Sequence, residues 1–268
     1  MLTRKATSRP TGAEAARRLV VLQRLVGRAL RGPPLQLLLT QYERWNAEEQ
    51  ASFKRTSGKD RDRFCWELED DGLWQSLSPR EAEFAQTTSL SVRHDQRLDM
   101  CWRLEAAQCL LWALHLLPSL PPFDTVAPRG LLKGFAVKDH RAFTRAVRLR
   151  SDKEIKRARR LAELWHWRSR TRQLLDMGME IEPDEDLRAA GIHSYYDIIR
   201  WTALNVAQKG YIAPCIEEDF PARGKPYRSL SPEEWQEVHS IAVERHLAFN
   251  WLCGYAPGKR WDETPTNT

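Results

Sequence analysis

The chain has 268 residues, 42% of them apolar and 29% charged, with 42 basic against 36 acidic side chains and a formal net charge of +6. That length and apolar content allow a substantial core and exclude intrinsic disorder for most of the chain. The charge alternates by block, +7 over residues 1–34, −5 over 35–127, +11 over 128–172 and −7 over 173–268. Contacts between blocks of opposite sign are the expected use of this pattern, with an external anion as the alternative.

The N-terminus is polar and basic, without the apolar stretch of a secretory signal. Thr11-Gly12-Ala13-Glu14 reads as a capping box that opens a first helix. Leu19, Leu22, Val26 and Ala29 recur at spacings of three and four, so they share a face, with Arg17, Arg24, Arg28 and Arg31 on or beside the other side. Gly32-Pro33-Pro34 ends this helix. An arginine-rich, acid-poor start also resembles a mitochondrial transit peptide, but Glu14 and the cap suit a folded helix better.

A second helix is expected over residues 35–42 and a third from Asn46-Ala47-Glu48-Glu49, with Ser57-Gly58-Lys59 breaking the pattern. Ser78-Pro79-Arg80-Glu81 and Ser231-Pro232-Glu233-Glu234 both place Ser at the N-cap, Pro at the first helical position and Glu at the third. The proline-rich run 118–128 is a firm break. A long basic helix follows over residues 151–177, with Ser151 and Glu154 as its capping box. Residues 178–191 form an acidic connector, and further helices are expected over 193–209 and 232–254. The tail from Tyr255 holds Pro257, Gly258 and Pro265 and is expected to be irregular. No segment shows convincing strand alternation, although a short strand near 212–216 stays open.

The fold class expected is therefore all-α: a multi-helix globular bundle around two buried central helices, forming one domain over residues 1–268. A subdivision would fall near 118–130, and residues 1–10 are expected to be disordered. The longest apolar run, from Cys109 to Leu117, is interrupted by His115 and is too short for a membrane span. Cys65, Cys101, Cys109, Cys215 and Cys253 are odd in number and form no C-x-x-C pair, which points to free thiols in a reducing, cytoplasmic compartment. Eleven tryptophans are expected to anchor helix contacts.

The first central helix, 104–117, is apolar on nearly every side, and its one full charge is Glu105. The last helix carries a stripe of Trp235, Val238, Ala242, Phe249 and Leu252, and Arg245 falls on that stripe. A carboxylate and a guanidinium on two buried faces are expected to pair, joining the helices. Asn250 belongs to the same polar network. Glu244 and His246 are the starting point of an enzyme reading, with Asp262 as a third group, although positions two apart on a helix diverge. His239 and His246 lie two turns apart and would share a metal only with help from another segment. No metal site, cofactor motif, Walker loop or nucleophile elbow is present, so neither metal nor cofactor is expected.

Trp102-Arg103-Leu104-Glu105-Ala106-Ala107 with Leu110-Leu111-Trp112-Ala113-Leu114 resembles the central signature of the bacterial domain-of-unknown-function family numbered 4272. Arg150-Ser151 with Glu154-Ile155, leading to Trp165-His166-Trp167-Arg168, fits the same family, as does the Ser-Pro-Arg-Glu opening at Ser78. Glu244-Arg245-His246, Asn250-Trp251-Leu252 and Trp261-Asp262-Glu263-Thr264-Pro265 are similar to its close, where Asn267-Thr268 replaces a usual Asp-Thr. The resemblance implies a helical fold and a bacterial, cytoplasmic setting, and supplies no chemistry.

Three functions are weighed. The first is a non-enzymatic module that holds another protein through an exposed helical face or the tail. The second is nucleic-acid binding through the basic helix 151–172, where Lys153, Lys156, Arg157, Arg159 and Arg160 cluster near Trp165 and Trp167. The third is a hydrolase using Glu244 and His246.

Overall fold

The computed structural model describes residues 8–135 and 139–267. Among them are ten helices: α1 (Gly12–Ala29), α2 (Leu35–Arg44), α3 (Ala47–Asp70), α4 (Pro79–Gln86), α5 (His94–Ala113), α6 (His140–Ala146), α7 (Asp152–Asp176), α8 (Glu185–Ala189), α9 (Tyr195–Gln208) and α10 (Pro232–Leu252). The fold is all-α, relieved only by a two-residue antiparallel ribbon of β1 (Pro221–Ala222) and β2 (Lys225–Pro226). No helix of the described residues is long and apolar enough to cross a membrane.

The helix starts follow from their caps. Thr11, Asn46, Ser78, Ser151 and Ser231 each close a capping box with the glutamate three residues on, satisfying backbone donors that have no partner within the helix. α10 packs against α7 and α5, and α1 packs against α5. Trp112 of α5 meets Phe249 of α10 edge to face at 5.8 Å, and Trp165 of α7 stacks on Phe123 at 5.9 Å. Burying each such ring is worth roughly 1.5–3 kcal/mol. α1 serves two cores. Leu19, Leu22 and Val26 join the main cluster. Val20, Val21, Leu25 and Ala29 join a second one with Phe64 and Leu68 of α3, Phe84 of α4 and Met100 of α5.

Several boundaries differ from expectation. α3 runs through Ser57-Gly58-Lys59 without a break. A single helical glycine costs only about 1 kcal/mol against alanine, and the buried Phe64 and Leu68 hold the last turns in place. α5 ends at Ala113 rather than at Leu117, because Arg150 takes the exit: its backbone N–H bonds the Ala113 carbonyl at 2.8 Å and its Nε the Trp112 carbonyl at 2.8 Å. His115 then adopts φ 62° and Leu116 N–H returns to the Leu111 carbonyl, a Schellman-type closure. The acidic connector contains the short α8, capped by Asp184. Strand pairing falls after 212–216, apart from a bridge between Ile216 and Asp219.

Of the first ten residues, 1–7 lie outside the described residues. Pro10 is buried and Arg9 donates to the Leu252 carbonyl at 3.3 Å. The tail is irregular but packed, with Trp261 buried edge-on against Trp251 at 5.4 Å.

Candidate functional site

α5 and α10 lie side by side, and the charges on their facing surfaces define the polar interior. Arg245 of α10 and Glu105 of α5 meet at 2.8 Å, exposed by 0% and 1%. All five guanidinium N–H groups of Arg245 have acceptors. Nε and Nη2 bond Glu105, Nη1 bonds the carbonyls of Pro121 and Pro122, and Nη2 also bonds that of Thr125. The second oxygen of Glu105 accepts the Ala127 N–H at 2.6 Å. Such a pair is stable because every guanidinium proton and both carboxylate oxygens have partners.

A second cluster uses the same two helices in reverse. Arg103 of α5 donates to Glu244 of α10 at 3.1 Å and lies 3.8 Å from Asp262 of the tail. Burial lifts the Glu244 carboxyl above its ordinary range, against the pull of Arg103. Close by, Arg18 of α1 pairs with the wholly buried Glu81 of α4 and donates to the Ser76 carbonyl at 3.1 Å. The Trp261 ring lies under both guanidinium groups, 4.7 Å from that of Arg18 and 5.9 Å from that of Arg103. Here the hydrogen bonding is incomplete: Arg18 Nε, Arg103 Nε, Trp261 Nε1 and Asp262 Oδ1 are buried without partners. Arg18, Trp261 and Asp262 also line a cleft of about 630 Å3 between α1, the start of α4 and the tail.

His246 and Asn250 belong to neither cluster, so Asn250 does not join Glu105 and Arg245 as expected but bonds Arg159, His246 and the Pro265 carbonyl. His246 is wholly buried between α7 and α10, with Nδ1 3.0 Å from His166 Nδ1 and Nε2 2.9 Å from the Asn250 amide nitrogen. The network assigns the protons. Arg159 can only donate, so it takes the Asn250 oxygen at 2.7 Å, and the Pro265 carbonyl can only accept, so it takes the amide nitrogen at 2.7 Å. That nitrogen therefore donates to His246 Nε2, and His246 donates from Nδ1 to His166. Burial, reinforced by Arg159 for His246 and by His246 for His166, lowers both to about 3. His239 adds a hydrogen bond to Ser169 Oγ at 2.7 Å, but Ser169 is wholly buried and Trp235 stacks on the imidazole. Sequence spacing gave no hint of Ser169, which lies 70 residues from its partner.

Arg103 thus brings Glu244 and Asp262 together, whereas His246 faces another pair of helices. On α7, Arg157 donates to the Gly210 carbonyl, Arg159 to Asn250 and Glu163, and Arg160 to Glu163. Lys156 lies 3.7 Å from Asp152, Lys153 is exposed, and Trp165 is buried. Among the described residues no group of three or more His, Cys, Asp or Glu is placed to hold a metal ion.

The polar interior and helical architecture define a globular helical protein with a scaffold tied by buried ion pairs. The chain belongs to the family described as domain of unknown function (DUF4272), whose profile matches residues 7–189. The match takes in α1 to α8, so Glu105 lies within it while Arg245, Glu244 and Asp262 lie beyond it. No curated protein and no solved structure matches the chain.

Proposed function

We propose that the protein is a non-enzymatic module that holds another protein against α9, in a bacterial, cytoplasmic setting. One observation carries this reading. Tyr196, Trp201 and Leu204 stand exposed on α9, at 61%, 58% and 46%, while Ile199, Ala203 and Val206 fill its inner face. Met177 and Met179 are exposed in the neighbouring connector, and Met179 lines a groove of about 430 Å3 with Tyr196. Large apolar groups gathered on one surface suit an apolar protein segment, and methionine adapts to such a segment. Five free cysteines, two of them buried, fit the reducing compartment.

The other readings have weaker support. Four of the five basic residues considered for nucleic acid have partners within the chain, Lys156 through an exposed ion pair with Asp152. A hydrolase would need Glu244 and His246 at one point. The test is retention of proteins from an extract of the native host on wild-type protein and on the Trp201→Ser, Leu204→Ser double variant, with Trp66→Ser as control. The expected result is a species held by wild type and control and released by the double variant. An identical set retained by all three rejects the proposal.

A further inference from the structure

The cleft between α1, α4 and the tail is a second feature, independent of α9. Most of its charges are answered locally. Lys259 bonds Glu14 at 2.8 Å, Arg260 pairs with Glu263 at 2.7 Å, and Arg18 pairs with Glu81. Two cations remain. The side chains of Arg17 and Arg80 line the cleft, are exposed, and have no partner among the described residues. Arg18 and Trp261 line the same cleft, and Arg18 Nε and Trp261 Nε1 are buried donors without an acceptor, on side chains 6% and 2% exposed. Proteins rarely leave buried donors unanswered, and such donors in the lining of a cleft point to an acceptor that arrives from outside.

We propose that this cleft binds a small phosphate monoester with an apolar or aromatic body. The phosphate carries a charge of about −1.5 to −2 at neutral pH and three acceptor oxygens, which suits two uncommitted guanidinium forks. The volume of about 630 Å3 is far more than an inorganic anion fills and lies in the range of small-molecule sites, roughly 300–1,000 Å3. Trp251, Leu77 and Pro79 supply apolar wall for the organic part.

Phenyl phosphate is the probe, titrated into the full chain by calorimetry alongside inorganic phosphate. Saturable one-to-one binding of phenyl phosphate is expected. The Arg17→Gln, Arg80→Gln double variant should weaken it at least about tenfold. Because neither side chain holds a partner, the melting temperature of that variant without ligand should match wild type. The Arg31→Gln, Lys133→Gln variant removes the same charge at a different cavity and should bind as wild type does. The proposal is overturned if no saturation occurs below about 10 mM, a ligand too weak to matter. It is equally overturned if both variants weaken binding alike, or if inorganic phosphate binds as tightly as phenyl phosphate.

Discussion

α5 and α10 each contribute one arginine and one glutamate to their shared interface, and the two resulting pairs have opposite characters. Arg245 with Glu105 is closed: every donor and both carboxylate oxygens are used. Arg103 with Glu244 is open, with Nε unanswered and Asp262 held only at 3.8 Å. The backbone around them makes the difference. The loop 118–128 is rich in proline, forms no helix or sheet, and so leaves the carbonyls of Pro121 and Thr125, and a second acceptor position on that of Pro122, to meet a guanidinium. Around Arg103 the tail supplies an indole and a carboxylate instead. A closed pair ties a scaffold together, whereas unanswered polar atoms beside a cleft leave something for a ligand to complete.

The largest expected effect tests the closed pair. Glu105→Gln strands a buried guanidinium and should cost about 3–5 kcal/mol in urea unfolding. Arg245→Met should cost a comparable amount, and the two together clearly less than their sum, because no buried charge is then left alone. Additive losses would mean the groups are uncoupled and would remove the contrast with Arg103.

The histidines provide a third interior network, which is closed while they are neutral. Both have pKa values lowered from 6.5 to about 3, so the unfolded chain takes up protons that the folded chain refuses. Their contribution is complete above pH 6.5 and is lost as pH falls from there towards 3. At pH 5 the loss is about 2 kcal/mol per histidine. His246→Gln should therefore flatten the acid side of a plot of urea midpoint against pH. An unchanged acid slope in that variant would show that other groups govern it.

The legible parts of this molecule are those in which local chemistry and periodicity agree. Ser-Pro-x-Glu fixes the starts of α4 and α10 to the residue, and the apolar stripes set α5 against α10. The pairing of Glu105 with Arg245 was readable because each is the isolated charge on its buried face. Arg18 was not readable. It follows the exposed Arg17 directly in sequence, and the acceptor that draws it inward, Glu81, is also the third residue of a capping box, where glutamate needs no tertiary explanation. The end of α5 was hidden for a similar reason, since Leu114, Leu116 and Leu117 continue the apolar pattern while a distant Arg150 closes the helix. Partners that already have a local explanation, as Glu81 has in its capping box, leave no signal of the distant contact they make.

The smallest expected effect decides whether the Arg103 cluster is open in energy as well as in geometry. Burial raises the Glu244 carboxyl above 4.5, so the folded state keeps a proton that the unfolded state releases. Stability should then fall as pH rises from 4.5 to the raised value, the reverse of the histidine trend. Glutamine mimics the protonated form. Glu244→Gln should stay within about 1 kcal/mol of wild type at the acid end of that range, where the carboxyl holds its proton, and abolish that fall, as read from urea midpoints over a pH series. A loss as large as that of Glu105→Gln would make Arg103 with Glu244 a second closed pair.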